Sequence, residues 1–140
     1  MIHRVYILKA GEFYKIGLTS NTIDKRIKEL QTGCPYEIKE IFKTSSLTKK
    51  EAFELERFLH KKFKRFHSYG EWFKLNNNKL KELVLFTDRL SSIYIFKEYK
   101  QISFDISCLY RNKKNKNSSK YKIEKLKEKR DILIKGENNG

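Results

Sequence analysis

Arg4-Val5-Tyr6-Ile7-Leu8, then Ala10-Gly11-Glu12, then Phe13-Tyr14-Lys15-Ile16-Gly17-Leu18: two β-branched and aromatic runs either side of a short glycine-containing break read as a β-hairpin. Downstream, Thr19-Ser20-Asn21-Thr22 supplies N-cap candidates for a helix whose apolar positions Ile23, Ile27 and Leu30 recur at helical spacing. That helix should end near Gln31, since Gly33 and the only proline, Pro35, follow it. Residues 37–42 can form a third strand. Ser45 to Thr48 offers the next cap, for an amphipathic helix over Lys50–Phe66 with Phe53, Leu55, Phe58, Leu59, Phe63 and Phe66 on one broad face. His67 to Gly70 reads as a turn and Glu71 to Leu75 as the start of a helix or strand. Leu80, Leu83, Val84 and Leu90 mark a further helix. The expectation is an α+β domain over residues 1–90, a small mixed or antiparallel three-stranded sheet flanked by helices.

Residues 91–140 form a C-terminal extension of different character. Ile93 to Phe96 and Ile102 to Ile106 look strand-like. Arg111 to Arg130 holds ten Lys plus Arg and two Glu, which reads as a tail or as a helix that orders on its partner. Residues 1–90 carry 19 cations against 11 carboxylates, and residues 91–140 carry 13 against 6.

The 140-residue length allows one compact domain and an appendage, and 39% hydrophobic residues suffice for a small core. A net charge of +15 favours a polyanionic partner, because each cation at a phosphate releases counterions. No apolar run is long enough to span a bilayer, and the start lacks the apolar core and cleavage site of a secretory signal. The expectation is a soluble intracellular protein, cytoplasmic or, in a eukaryotic host, nuclear, with no membrane partner. Cys34 and Cys108 stand far apart in no CxxC pair, which supports neither a disulfide framework nor a zinc site.

No phosphate-binding glycine loop, G-x-S-x-G elbow or H-E-x-x-H helix is present. What remains is Tyr6 in the first strand, Lys15 in the second, Arg26 on the first helix, His60 on the phenylalanine-striped helix, and Glu71 beside Trp72. Singly, each has a structural explanation: a strand tyrosine, a solvated lysine, a surface arginine, the polar edge of a helix, a capping glutamate. Together and in this order they resemble the GIY-YIG endonuclease superfamily. Arg4-Val5-Tyr6 resembles its first motif and Lys15-Ile16-Gly17, preceded by Tyr14, its second. Arg26 takes the place of its helical arginine, and Glu71 in Gly70-Glu71-Trp72-Phe73 that of its metal-binding glutamate. Residues 26–35, Leu59-His60 and the Gly-Glu-Trp-Phe segment are similar to a phage- and virus-associated branch. The resemblance spans roughly residues 4–75. Strand alternation puts Tyr14 and Lys15 on opposite faces, and the step to Arg26 favours Lys15 on the site side.

The resemblance implies hydrolysis of DNA phosphodiester bonds with Mg²⁺ or Mn²⁺. Glu71 would ligate the cation, and Tyr6 would accept a proton from water, an odd base at its reference pKa of about 10 unless Lys15 and a nearby cation favour its phenolate. Arg26 would clamp the scissile phosphate, and His60 would bind a nonbridging oxygen or orient Tyr6. The basic segment, with Arg111, Lys113, Lys114, Lys116, Lys120 and Lys122, would hold DNA through phosphate contacts. One such site cuts one strand, so double-strand cleavage would need a dimer or two encounters. Two departures, Leu18 where many relatives carry a basic residue and Leu83 at a family asparagine, keep open an alternative: a catalytically inactive DNA-binding protein on the same fold. A membrane-surface protein ranks last, for want of an apolar insertion face or lipidation signal.

Overall fold

The computed structural model describes residues 1–112 and 116–136, the latter with side chains from residue 119 onward. The chain divides into two compact units, Met1–Ser91 and Ser92–Gly140.

The first unit is α+β. Its strands are β1 (Arg4–Ala10), β2 (Phe13–Thr19), β3 (Ile38–Lys43), β4 (His67–Tyr69) and β5 (Trp72–Lys74), and its helices α1 (Ile23–Gln31), α2 (Lys49–Lys62) and α3 (Asn77–Leu90). The sheet has five strands rather than three, in the order β3-β1-β2-β5-β4, and every pairing is antiparallel. The two extra strands are three residues each, too short to show an alternating pattern in sequence. Of the residues read as a turn, His67 to Tyr69 are β4, and the turn itself is Gly70-Glu71. Gly70 has φ +56° and Gly11, in the β1–β2 turn, φ +60°. In both hairpins glycine fills the first of two turn positions, the demand of a type II′ turn.

Side-chain alternation sorts the sheet into two buried faces. Tyr6, Leu8 and Ala10 face α1 and its neighbour strand, clustering with Ile23 and Ile38, with Ile27, Leu30, Cys34 and Trp72 packed alongside. Val5, Ile7, Tyr14, Ile16 and Phe73 are buried too, and on that side α2 lies against β1 and β2. Thr22 caps α1 by accepting from the Lys25 N–H at 3.2 Å, and Thr48 caps α2 from the Glu51 N–H at 3.2 Å. The helix expected to reach Phe66 ends at Lys62, and a 3-10 turn covers Lys64–Phe66. Asn76 caps α3, its Oδ1 accepting from the Lys79 N–H at 2.8 Å.

The second unit is a pair of helices, α4 (Ile93–Arg111) and α5 (Lys116–Lys135). Both segments expected to be strands lie inside α4. Their β-branched composition is overridden by a buried stripe, Phe96, Tyr99, Ile102 and Ile106, spaced three and four apart. The basic segment, read as a tail or as a helix that orders on its partner, is helical from Lys116 onward, within α5. Its Ile123, Leu126 and Leu133 close on Ile102, Ile106 and Leu109 of α4. Arg130 reaches across to Ser103 Oγ at 3.3 Å.

Candidate functional site

The ladder between β2 and β5 stops at the Lys15–Trp72 rung. Beyond it the outer edge of β2 has unpaired main-chain groups, which buried structure must satisfy. Ile16 supplies both solutions. Its N–H donates to the Glu71 carbonyl at 3.3 Å, and its carbonyl accepts from His60 Nε2 at 2.8 Å. The β4–β5 turn is braced by His67 Nε2, which donates to the Gly70 carbonyl at 2.6 Å. One strand edge thus brings Glu71 from the hairpin tip and His60 from α2 to the same place.

The cleft there is about 490 Å³, lined by Leu18, Arg26, Phe53, Glu56, Arg57, His60 and Glu71. Three of the five residues singled out in sequence, Arg26, His60 and Glu71, line it directly. The other two stand behind them. Tyr6 is 0% exposed, and its Oη accepts from Arg26 Nε–H at 3.3 Å. Lys15 is buried, on the Tyr6 face of the sheet, and its Nζ is 2.6 Å from Glu71 Oε2. Tyr14 turns to the opposite face. The Glu71 side chain is 44% exposed, so its carboxylate is held by Lys15 and still open to solvent. Arg26 and Glu71 are thus each fixed from behind by a buried polar side chain, an arrangement that preorganises charge.

Gly17 explains how Tyr6 fits. A Cβ there would overlap the Tyr6 ring and hydroxyl, so the phenol lies across the glycine Cα, as only glycine allows. Burial pushes the Tyr6 phenol up, outweighing the lowering by Arg26. Arg26 is the cation that lowers it, while Lys15 is engaged with Glu71. The Tyr6 hydrogen bond in turn raises the Arg26 guanidinium further. His60 makes no hydrogen bond to Tyr6; besides Ile16 it lies 3.6 Å from Glu56 Oε1 and edge-on to the Phe73 ring at 5.1 Å.

Glu56 and Arg57 escaped the sequence reading. Glu56 is pushed up to about 7 by burial first and then by Glu71, with which it shares a hydrogen bond. The signal for it was its place four residues before His60 on one helix face. Arg57, exposed on the same wall, makes no ion pair or hydrogen bond among the described residues. Leu83, at the position of the family asparagine, is fully buried, and the nearby Asn76 is occupied as a helix cap.

Among the described residues no group of three or more His, Cys, Asp or Glu could hold a metal ion. The oxygen donors facing the cleft are Glu71 and Glu56, a sparse carboxylate set of the kind Mg²⁺ accepts when waters and phosphate complete its shell. No described helix is long and apolar enough to cross a membrane. In the second unit Arg111, Lys120 and Lys122 are exposed. Lys113 and Lys114 lie outside the described residues, as does the Lys116 side chain.

The family model of the T5orf172 domain matches residues 3–88, more than half of the chain and nearly all of the first unit. The chain belongs to that family. T5orf172 domains occur in phage and other nuclease-related proteins, which points to a nuclease-like or DNA-related role. No curated protein and no solved structure matches the chain. The T5orf172 span contains Tyr6, Lys15, Gly17, Arg26, Glu56, His60 and Glu71, and it ends before the basic helical pair begins.

Proposed function

We propose that this protein is a Mg²⁺- or Mn²⁺-dependent DNA endonuclease working through a GIY-YIG-type site. The observation that carries the reading is the cleft itself: Arg26, His60 and Glu71 converge on it from three elements, and Tyr6 and Lys15 hold two of them from behind. Phosphodiester hydrolysis needs a positioned water, charge stabilisation at phosphorus and a stabilised leaving oxygen. Arg26 meets the second need as a planar, always-charged fork on the scissile phosphate, aimed by Tyr6. Glu71, with Glu56 beside it, would hold the cation, which when bound supplies Lewis-acid stabilisation and a more acidic water. Lys15 fixes the carboxylate of Glu71 in place. His60, anchored on the Ile16 carbonyl, closes the far wall. Tyr6 acts in this closed arrangement through Arg26; the proton-accepting role that the family resemblance implies requires its hydroxyl to reach the cleft.

The second unit supplies a field for DNA phosphates through Arg111, Lys120 and Lys122, together with Lys113, Lys114 and Lys116. Double-strand cleavage by one such site would call for a dimer or two encounters. The second reading, DNA binding without cleavage, draws support from the apolar Leu18 in the cleft wall and the buried Leu83.

One gel separates the two. Supercoiled plasmid should be nicked with Mg²⁺ or Mn²⁺ and left intact with chelator, while Glu71→Ala and Arg26→Ala abolish nicking and keep salt-dependent binding. Plasmid untouched under every metal condition, with binding retained, supports the second reading. Nicking retained by both variants sinks the assignment of these residues.

A further inference from the structure

The sheet face that carries Tyr6 and Lys15 does not end at the cleft. Lys15 stands opposite Trp72 across β2 and β5, and Trp72 stands opposite Tyr69 across β5 and β4. Directly opposed residues project to the same side, so one rung carries an ammonium and two rings in a row. Lys15 Nζ lies 5.6 Å from the Trp72 ring centroid, and Trp72 is bonded to Glu71 in the chain. The platform is thus continuous with the proposed phosphate site.

Above the rings lies a groove of about 380 Å³, lined among others by Leu30, Cys34, Tyr36, Tyr69 and Trp72. Its volume falls within the range of pockets that take one small ring system. Gln31 shapes the far wall. Its Nε2 donates to the Tyr36 carbonyl at 2.8 Å and its Oε1 accepts from the Ile38 N–H at 2.8 Å. The Tyr36 ring itself rests against Gly11. Tyr69 is 83% exposed and Tyr36 54%, so folding gains little from either ring, and both keep much of their surface open to solvent.

We propose that this groove takes an unpaired nucleobase flanking the phosphate held in the cleft. The inference rests on the nuclease reading and deepens it by naming a substrate feature. The occupant follows from continuity and charge. The net-positive first unit draws a polyanion, and a strand with a phosphate between Arg26 and Glu71 brings its neighbouring nucleotide to Trp72. Aromatic stacking accepts any base, because every base has a π-face. A base stacked inside a duplex cannot reach the rings, so the groove selects single-stranded, frayed or branched substrate.

The chain provides its own reporters: Trp72 is the only tryptophan and Cys34 one of two cysteines. The test uses the full chain carrying Glu71→Ala and Cys108→Ser, with chelator present so that no cleavage is read. Probes are an oligothymidylate, an abasic strand of equal length and a blunt duplex. Oligothymidylate should quench Trp72 fluorescence and slow alkylation of Cys34 about fivefold or more, and the abasic strand and the duplex should do neither. Adding Tyr69→Ala should weaken oligothymidylate binding about tenfold, with Tyr69→Phe restoring it. Equal responses to the abasic strand would reduce the effect to charge and overturn the proposal. So would oligothymidylate binding that leaves Trp72 and Cys34 unchanged. Either failure leaves the nuclease reading to the plasmid gel, where nicking is scored independently.

Discussion

The two units carry nearly the same excess of positive charge and use it in opposite ways. In the first, the cations that matter are few, partly or wholly buried, and each is tied to a partner: Lys15 to Glu71, Arg26 to Tyr6. In the second, the cations are many and exposed, on helices whose joint core is aliphatic. Those that pair do so loosely across solvent, as Lys129 and Glu98 do at 3.7 Å, an interaction worth little. Buried, oriented charge can discriminate one atom of a substrate from the next. Exposed charge produces a field that holds any phosphate.

The comparison breaks most visibly at Glu71. If oriented charge carries the chemistry, Glu71→Ala should lower plasmid nicking by about 1000-fold or more, whereas neutralising Lys120 and Lys122 together should change nicking at saturating DNA little. Next is Gly17→Ala, which drives a methyl group into the buried Tyr6 ring. It should cost about 3 kcal/mol of stability in the first unit by denaturant unfolding and remove activity with it. A variant as stable as the parent would show that the phenol does not lie across that strand.

A third prediction concerns the field. Because α4 and α5 share one core, the informative truncation is after Ser91, not within α4. The shortened chain should keep a cooperative melt, bind DNA about tenfold more weakly or worse, and show a flatter dependence of log affinity on log salt. An unchanged slope would take the second unit off the phosphates.

The smallest effect belongs to Glu56. A carboxyl raised to about 7 in the folded state and ordinary in the unfolded chain means that the native state holds the extra proton between those values. Stability should therefore fall as pH rises from about 4.5 to 7. Metal-free Glu56→Gln should lose that part of the slope, its melting temperature exceeding the parent's increasingly as pH rises. Identical pH profiles for the two proteins would remove Glu56 from the proton balance of the cleft.

Much of the first unit was legible in sequence because local signals agreed there. Thr22 caps, Ile23, Ile27 and Leu30 recur at helical spacing, and Pro35 follows the stop, so α1 has the expected limits. The β4–β5 hairpin was illegible because three residues per strand show no period, and its existence depends on docking to β2. Ile93 to Ile106 misled because β-branched residues read as strand until the helical stripe from Phe96 to Ile106 is buried, with Ile102 and Ile106 against α5. In the site, the side chains of Tyr6, Lys15, Arg26, His60 and Glu71 were visible as chemistry, and their layering was not. That Tyr6 and Lys15 stand behind Arg26 and Glu71 follows from strand pairing and from burial, neither of which a residue list contains. Glu56 was one more charge on a charged helix until His60 and Glu71 closed on it.

Ile16 has the last consequence. Its amide and its carbonyl are what bring Glu71 and His60 to one place, while its side chain is an ordinary member of the core. An alanine scan would report a cavity there and miss the alignment, since every L-amino acid except proline presents the same two main-chain groups. Replacing the Lys15–Ile16 amide by an ester, which deletes the N–H and leaves every side chain in place, would probe the register between hairpin and helix directly.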